Sequence, residues 1–572
     1  MKSPTLHRPV SVLVALICLL GLQTALFADD QPNIVYIVAD NIGFEHMGKA
    51  YGGPTSTPTM DSIAEEGALM QRMYVPNPLC VPSRYSILSG RYPERCSAKE
   101  YLKKYPAGEE AWDSGVELEP DLPNLPKTLQ SAGYTTGFVG KFHNAHGKDG
   151  LTSRKKWDGT HITDPEVTPI LEKLNDGLNR HIQSCGFDWV GGAAFGNGLV
   201  SAASGIDTDG VHHNLEWEVD NALTFLDQQK DKDKPFFLYL ATKLFHLPVN
   251  TEEDFLSDYD KVGRYTERGT LKEAPNVPMP PRKEIVDIAR REVGEAAIED
   301  KGLDRNAIAL RVLDFGIKAI LDRLQAMGVE ENTIVIFVSD NAQVGKSTVY
   351  EGGIHVPSAI RWPRVIPTGT KVSEIVSTVD IAATLIDVAG TTPPEAMKAD
   401  GTSFLPILKG DENAKWDNVT FAEYNCAKAV VTPRWKYIAV RYPEEQWKKI
   451  VAEDARNPTA PDFGGNPNRK KKWEKFTKPD LVESQLPMAM NIHRYWSPHD
   501  MNHVKRAGTF PFMFDLDQLY DLENDPNEQH NLADNPEYAE KLAEMKELMK
   551  REVSKLDRPF GEFSEIPGYL PK

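Results

Sequence analysis

Short runs of β-branched and aromatic residues recur along the chain, and each breaks off into polar residues. "NIVYIV" leads to Asp40 and Asn41, "TTGFV" to Lys141 and His143, "PFFLYLA" to Lys243 and His246, and "TIVIFVS" to Asp340 and Asn341. Each run is about one strand long. Between them lie helix-like stretches: "TPTMDSIAEEGALM", "LPNLPKTLQSAG", "EWEVDNALTFLDQQ" and "RNAIALRVLDFGIKAILDRLQAMG". The alternation predicts an α/β fold with a central, mostly parallel, doubly wound sheet flanked by helices. Ligands of such sheets bind beyond the carboxyl ends of the strands. Polar residues also follow strands simply because loops are wet, yet two Asp-Asn pairs in the same strand-end context point to one shared site.

The pattern changes after about residue 410. "NVTFAEYNC", "KAVVTPRWKYIAVRY" and "DQLYDLENDPNEQHNLADNP" predict a few antiparallel strands and turns, and "PEYAEKLAEMKELMKREVSKL" a terminal helix. We therefore expect a leader at residues 1–28, a catalytic domain at 29–410 and a smaller C-terminal α+β subdomain with a short antiparallel sheet at 411–572. Residues 443–500, rich in Pro, Lys, Asn and Trp, predict a long insertion or loop that opens with an amphipathic surface helix.

Composition adds compartment and partner. The 572 residues are 40% hydrophobic and 26% charged, enough apolar material for a large core. Lys2 and Arg8, the apolar run 10–22 and small residues near Ala25 and Ala28 have the layout of a secretory signal peptide, too short to prefer a membrane span. The expectation is an exported protein, periplasmic or secreted, without a membrane span. Loss of residues 1–28 removes Lys2 and Arg8 but no acid, taking the net charge from -18 to -20. Such a chain repels polyanions, which argues against nucleic-acid binding; an anionic ligand needs a local basic pocket. Cys18 leaves with the leader, and Cys80, Cys96, Cys185 and Cys426 are too few for a disulfide scaffold and lack zinc spacing. They allow at most two disulfides, or one if Cys80 is kept for chemistry.

Asp40, Asn41, Asp340 and Asn341 offer oxygen ligands, which suit calcium or magnesium better than zinc. Arg84, Lys141, His143, His246 and Lys346 would surround that cation with groups that favour an anion. Transfer from an anionic ester needs charge neutralisation, an activated nucleophile and a proton for the leaving alcohol, and the histidines can move protons. In "CVPSRYSILSG", Pro82 suits a first helical turn, so Cys80 would stand at a helix N-terminus that favours negative charge. Cys80 is then a thiolate nucleophile or a plain buried cysteine. Soft sulfur is in either case a poor match for a hard metal.

Cys80-Val81-Pro82-Ser83-Arg84 followed by Ser89-Gly90 resembles the signature of the formylglycine-dependent sulfatases, where the cysteine is oxidised to an aldehyde by a maturing enzyme. "PNIVYIVADNIGFEHMG", "STPTMDSIAEEGALMQRMYV", "GYTTGFVGKFH", "KPFFLYLATKLFHLP", "IFVSDNAQVGKSTVYEGGIHVP" and "LYDLENDPNEQHNLA" are similar to further segments of that family, across nearly the whole mature chain. The resemblance implies an alkaline-phosphatase-like sandwich with a small C-terminal sheet. It also implies one bound calcium ion on Asp40, Asn41, Asp340, Asn341 and residue 80, and a formylglycine hydrate at position 80 whose oxygens replace the mismatched sulfur. Arg84 and Lys141 would hold the hydrate, His143 would be the base for sulfate elimination, and His246 with Lys346 would bind sulfate and protonate the leaving oxygen. The implied activity is hydrolysis of a sulfate monoester, of a sulfated carbohydrate above all. Its alternatives are a phosphodiester or phosphonate monoester hydrolase on the same site, and a sulfated-glycan binding protein with impaired catalysis.

Three positions depart from the family pattern. Asn41 stands where a second Asp is usual, His355 where Arg is common, and "GKFHNAHG" supplies an extra His146. Among weaker candidates, residues 469–475 with Trp473 could contact a polysaccharide but read better as a solvated loop. His212, His213, His493 and His499 could line a subsite, and Arg434 and Lys436 are expected on a strand near the cleft.

Overall fold

The structure is a computed structural model that describes residues 31–105, 115–145, 159–161, 163–196, 215–230, 232–244, 246, 277–294, 301–441, 509–513 and 515–564, with backbone alone for 301–305. The leader, residues 443–500, His146, His212, His213, His493, His499 and the basic stretch 469–475 lie outside the described residues.

In chain order the first strands are β1 (Asn33–Ala39), β2 (Ala68–Met70), β3 (Met73–Tyr74), β4 (Thr135–Lys141) and β5 (Trp189–Ala194). They are followed by β6 (Phe236–Ala241), β7 (Thr333–Ser339), β8 (His355–Val356), β9 (Ser358–Arg361), β10 (Thr370–Val372) and β11 (Val376–Ser377). The last four are β12 (Thr420–Tyr424), β13 (Ala427–Val431), β14 (Trp435–Val440) and β15 (Asp517–Asp521). Eight of them form the main sheet in the order β10-β2-β9-β7-β1-β6-β4-β5, in which β9 alone runs against its neighbours. The four strands with polar ends, β7, β1, β6 and β4, are consecutive, parallel and central.

The continuous apolar runs follow from burial on both faces. In β1, Ile34, Tyr36 and Val38 enter one core, while Val35, Ile37 and Ala39 enter the other. Helices Leu215–Gln229 and Lys301–Ala326 cover the second face; Cys80–Ser89, Leu125–Ser131 and Thr378–Val388 cover the first. The predicted helix from "TPTMDSIAEEGALM" is realised as Pro58–Glu65, after which Gly67 lies so close to β9 that a Cβ would sit 2.4 Å from the Ile360 carbonyl oxygen. Residues Ala68–Met70 are strand β2, correcting the helical reading there.

β12 to β15 form a fully antiparallel sheet. One face, with Phe421, Val430, Tyr437 and Leu519, is covered by helix Ala539–Val553 through Met545, Met549 and Val553. The opposite face, with Ala422, Ala429, Ile438 and Tyr520, joins the first core. No helix among the described residues is long and apolar enough to cross a membrane.

Candidate active site

The two Asp-Asn pairs are brought side by side by strand register. Ala39 pairs with Ser339 at the ends of β1 and β7, so both pairs leave the sheet together. The Asp340 amide donates to the Ala39 carbonyl at 3.0 Å, and the Asn41 amide to Asp340 Oδ1 at 3.1 Å. Asn41 turns the chain with φ 63°, a left-handed conformation that Asn tolerates better than most residues. On β4, Gly140 has φ 96° and approaches Ala241 so closely that a Cβ would lie 2.1 Å from its carbonyl oxygen. Only glycine fits there, and the strand end it shapes carries the Lys141 ammonium to Asp40 Oδ2 at 2.5 Å.

Cys80 is the first residue of helix Cys80–Ser89, after an extended Leu79, and Gly90 ends the helix with φ 66°. The whole helix is buried apart from Val81, so its ends are fixed by packing as well as by caps. Arg84 lies one turn beyond Cys80 on the same helical face. Its Nε donates to Asp340 Oδ2 at 2.7 Å, and its Nη2 lies 3.5 Å from Asp40 Oδ2. It also donates to the carbonyls of Lys141 at 3.2 Å and Thr242 at 3.3 Å. One fully buried guanidinium thus ties the ends of β7, β1, β4 and β6 beneath the helix that begins with Cys80.

Candidate ligand atoms of Asp40, Cys80 and His246 all lie within 4.8 Å of one another. Lys346 enters from the loop after β7, its Nζ donating to Asn41 Oδ1 at 2.7 Å. Its neighbour Ser347, at φ 70°, is tied by its amide to the Pro78 carbonyl just before the Cys80 helix. His143, also left-handed at φ 60°, is half-buried, with a buried Nδ1 that lacks a hydrogen-bond partner among the described residues.

Burial pushes the Asp40 carboxyl up, but Lys141, His246, Arg84 and Lys346 together hold it well below the carboxylate range. Burial and the adjacent Asp40 charge raise Asp340. Burial, then Lys141 and Arg84, push His143 far down, so its imidazole is neutral near pH 7. Asp40 Oδ1 and Asn341 Oδ1 are buried oxygens with no hydrogen-bond partner among the described residues. Such atoms carry a desolvation cost unless something fills them. With Asp340 and the Asn41 amide oxygen they make an all-oxygen donor set that fits a hard dication such as calcium.

Other predicted residues fall elsewhere. His355 is stacked on Tyr74, with ring centroids 4.9 Å apart, and packs on Phe44 at 4.6 Å. Its Nδ1 lies 3.4 Å from Glu351. Lys436, in β14, is fully buried between Glu351 at 3.1 Å and Glu528 at 2.9 Å, where it joins the small sheet to helix Glu351–Ile354. Arg434 pairs with Asp521 at 2.7 Å at the strand's start. Cys80, Cys96, Cys185 and Cys426 are all buried, and none is joined to another by a disulfide.

Two contributors were not singled out from the sequence. Asn144 donates to the Val81 carbonyl at 2.8 Å, holding the loop after β4 against the first turn of the Cys80 helix. Glu218 faces Lys243 Nζ at 3.6 Å, both nearly inaccessible, below the turn in which the His246 amide donates to the Lys243 carbonyl. Lys243 stood out as a strand-end residue, but nothing in a helical "EWEVDN" marks Glu218 as its partner.

Comparison with known proteins agrees with this geometry. The profile of the sulfatase family matches residues 32–391, and that of the N-sulphoglucosamine sulphohydrolase C-terminal region matches residues 342–456. N-acetylgalactosamine-6-sulfatase of Rattus norvegicus is 28% identical over 433 residues, covering 71% of this chain and 70% of the relative. N-acetylgalactosamine-6-O-sulfatase of Bacteroides thetaiotaomicron is 24% identical over 515 residues, covering 77% and 89%. A solved structure from glycosaminoglycan metabolism in Bacteroides thetaiotaomicron shares the fold, with a TM-score of 0.55 and 21% identity over 91% of this chain and 99% of that one. The chain belongs to the sulfatase family and is a hydrolase of sulfuric esters.

Proposed function

We propose that this sulfatase acts on a sulfate monoester of a carbohydrate, with formylglycine formed from Cys80 by a maturing enzyme and one calcium ion held by Asp40, Asn41, Asp340, Asn341 and residue 80. One observation carries the reading. Candidate ligand atoms of Asp40, Cys80 and His246 lie within 4.8 Å of one another, and Arg84, Lys141 and Lys346 donate to Asp340, Asp40 and Asn41 beside them, at the ends of four neighbouring strands. The aldehyde hydrate supplies an oxygen nucleophile, and the dication, when bound, supplies the charge that favours its ionised form.

The chain's own residues do the rest. Arg84, locked by two carboxylates and two carbonyls, keeps the nucleophile's helix in fixed register with the strand ends. Lys141 balances Asp40 and presents charge beside residue 80. Lys346, half-buried at the mouth, and His246 meet the sulfate oxygens, and His246 gives a proton to the leaving alcohol oxygen. His143, kept neutral by its surroundings, takes the proton whose removal lets sulfate leave. The sulfated amino-sugar names of the relatives support a carbohydrate substrate. Residues 29–410 would form the catalytic domain and 411–572 the C-terminal subdomain of an exported protein.

The test is sulfate release by protein co-expressed with a maturing enzyme, measured on sulfated N-acetylhexosamines and an aryl sulfate beside an aryl phosphodiester. Sulfate release from the sugars is expected. A strong preference for the phosphodiester contradicts the proposal.

A further inference from the structure

Helix Leu215–Gln229 places Glu218 beneath the ends of two neighbouring strands, β4 and β6, where Gly140 pairs with Ala241. The side chain is 2% exposed, and its Oε1 lies 3.6 Å from Lys243 Nζ and 3.6 Å from where a Cβ on Gly140 would stand. Lys243 belongs to the turn that carries His246. Its carbonyl accepts from the His246 amide at 2.9 Å, while the Thr242 amide donates to the Val38 carbonyl at 2.9 Å and the Leu244 carbonyl accepts from the Asp40 amide at 3.0 Å. The backbone of the turn is thus registered to the end of β1, and its lysine is held from the second face of the sheet by Glu218. Burial pushes the Glu218 carboxyl up to about 7, and the ammonium and backbone amide of Lys243 both pull against it.

Replacing a buried ion pair by apolar side chains is often neutral or stabilising, so bulk stability does not account for this one. Its place does. We infer that Glu218 is a positioning residue for ester cleavage: by fixing Lys243 it sets the turn 242–246 so that His246 meets the leaving oxygen. When the S–O bond breaks, the electron pair stays on the alcohol oxygen, which takes its proton from His246. A displaced turn lengthens that transfer and leaves the donors on Asp40, Asp340 and Asn41 where they are. The inference rests on the proposed role of His246 as the acid.

Dependence on the leaving group tests it, because 4-nitrophenolate departs without a proton far more readily than phenolate. The ratio kcat/KM covers the ester-breaking step. It is measured for phenyl sulfate and 4-nitrophenyl sulfate on matured protein, per converted residue 80, at about pH 8, where Glu218 is ionised. Glu218→Gln is expected to lower it by about tenfold for phenyl sulfate and by less than about threefold for 4-nitrophenyl sulfate. Lys243→Gln should do the same, which keeps the test open if one variant folds poorly, and the double variant should be no worse than either single one. His246→Gln should show a larger loss with the same selectivity. Equal losses on both esters, or none, in Glu218→Gln and Lys243→Gln beside a selective loss in His246→Gln overturn this inference alone, as do losses that multiply in the double variant. A His246→Gln protein without the selective loss, or a parent that cleaves neither ester, overturns it together with the proposed role of His246.

Discussion

Replacing Lys141 with methionine probes how the strand ends are held. The Lys141 ammonium lies 2.5 Å from Asp40 Oδ2, and both side chains are completely buried. Methionine keeps most of the aliphatic stem and deletes the charge. It leaves Asp40 with Arg84 at 3.5 Å and with His246 and Lys346, which also draw its carboxyl down. Removing one partner of a buried pair costs about 3–5 kcal/mol, because the remaining charge is neither solvated nor neutralised. The pH dependence has a definite sign. Burial raises Asp40 and the cations, Lys141 foremost, more than reverse that, so its folded value lies below the unfolded one. The stabilisation is therefore present above the ordinary carboxylate value of about 3.9 and is lost as pH falls through the depressed value. Urea unfolding midpoints in the presence of chelator, for the parent, Lys141→Met, Asp40→Asn and the double variant, give the coupling. The single Lys141 change should lower the midpoint strongly at about pH 7.5 and progressively less as pH falls below about 4 towards the depressed Asp40 value. Asp40→Asn should recover a large part of the loss. Strictly additive effects, or a Lys141→Met protein as stable as the parent at neutral pH, would refute the argument.

Further outcomes follow from the same geometry. His143→Gln should lower kcat by about two to four orders of magnitude, as expected for loss of a general base; parent-like turnover would remove His143 from the scheme. Glu218 is pushed up to about 7, chiefly by burial, with Lys243 pulling the other way. A raised folded value means that its contribution is present below about 4.5 and lost as pH rises through about 7, an amount on the order of 3 kcal/mol. Glu218→Gln should therefore flatten the fall in unfolding midpoint across that window, and an unchanged slope would count against the assignment. Calcium at about one hundred times its dissociation constant should stabilise the chelator-treated protein by about 2.7 kcal/mol, read as a rise in Tm; equal melting with and without calcium would contradict the oxygen-donor site. Gly140→Ala should destabilise the protein and cut activity together, since the added Cβ meets the Ala241 carbonyl oxygen.

The central strands and the site beyond their ends were legible because burial on both faces writes an uninterrupted apolar run, and the polar residues that end each run stand out against it. Register then did what sequence spacing could not show, placing Asp40 and Asp340 on adjacent strands under a shared Arg84. Strand β9 and the two-residue strands β3, β8 and β11 are too short to show a period. β2 was hidden because "GALM" continues the apolar pattern of the preceding helix, and only the close approach of Gly67 to β9 ends it. Helix Thr378–Val388 was likewise not anticipated, although the Ser377 and Asp380 capping box is a signal that could have marked it. Asn41 was visible as a departure from the family pattern, but its contact with Lys346 depends on a loop conformation that no local pattern encodes.

The state of residue 80 bears most directly on the proposed mechanism. Mass measurement of the peptide containing residues 80–84, taken from active protein expressed with a maturing enzyme, should show sulfur and two hydrogens replaced by one oxygen, with sulfate-releasing activity proportional to the converted fraction. A fully active protein whose Cys80 remains an unmodified thiol would contradict the account.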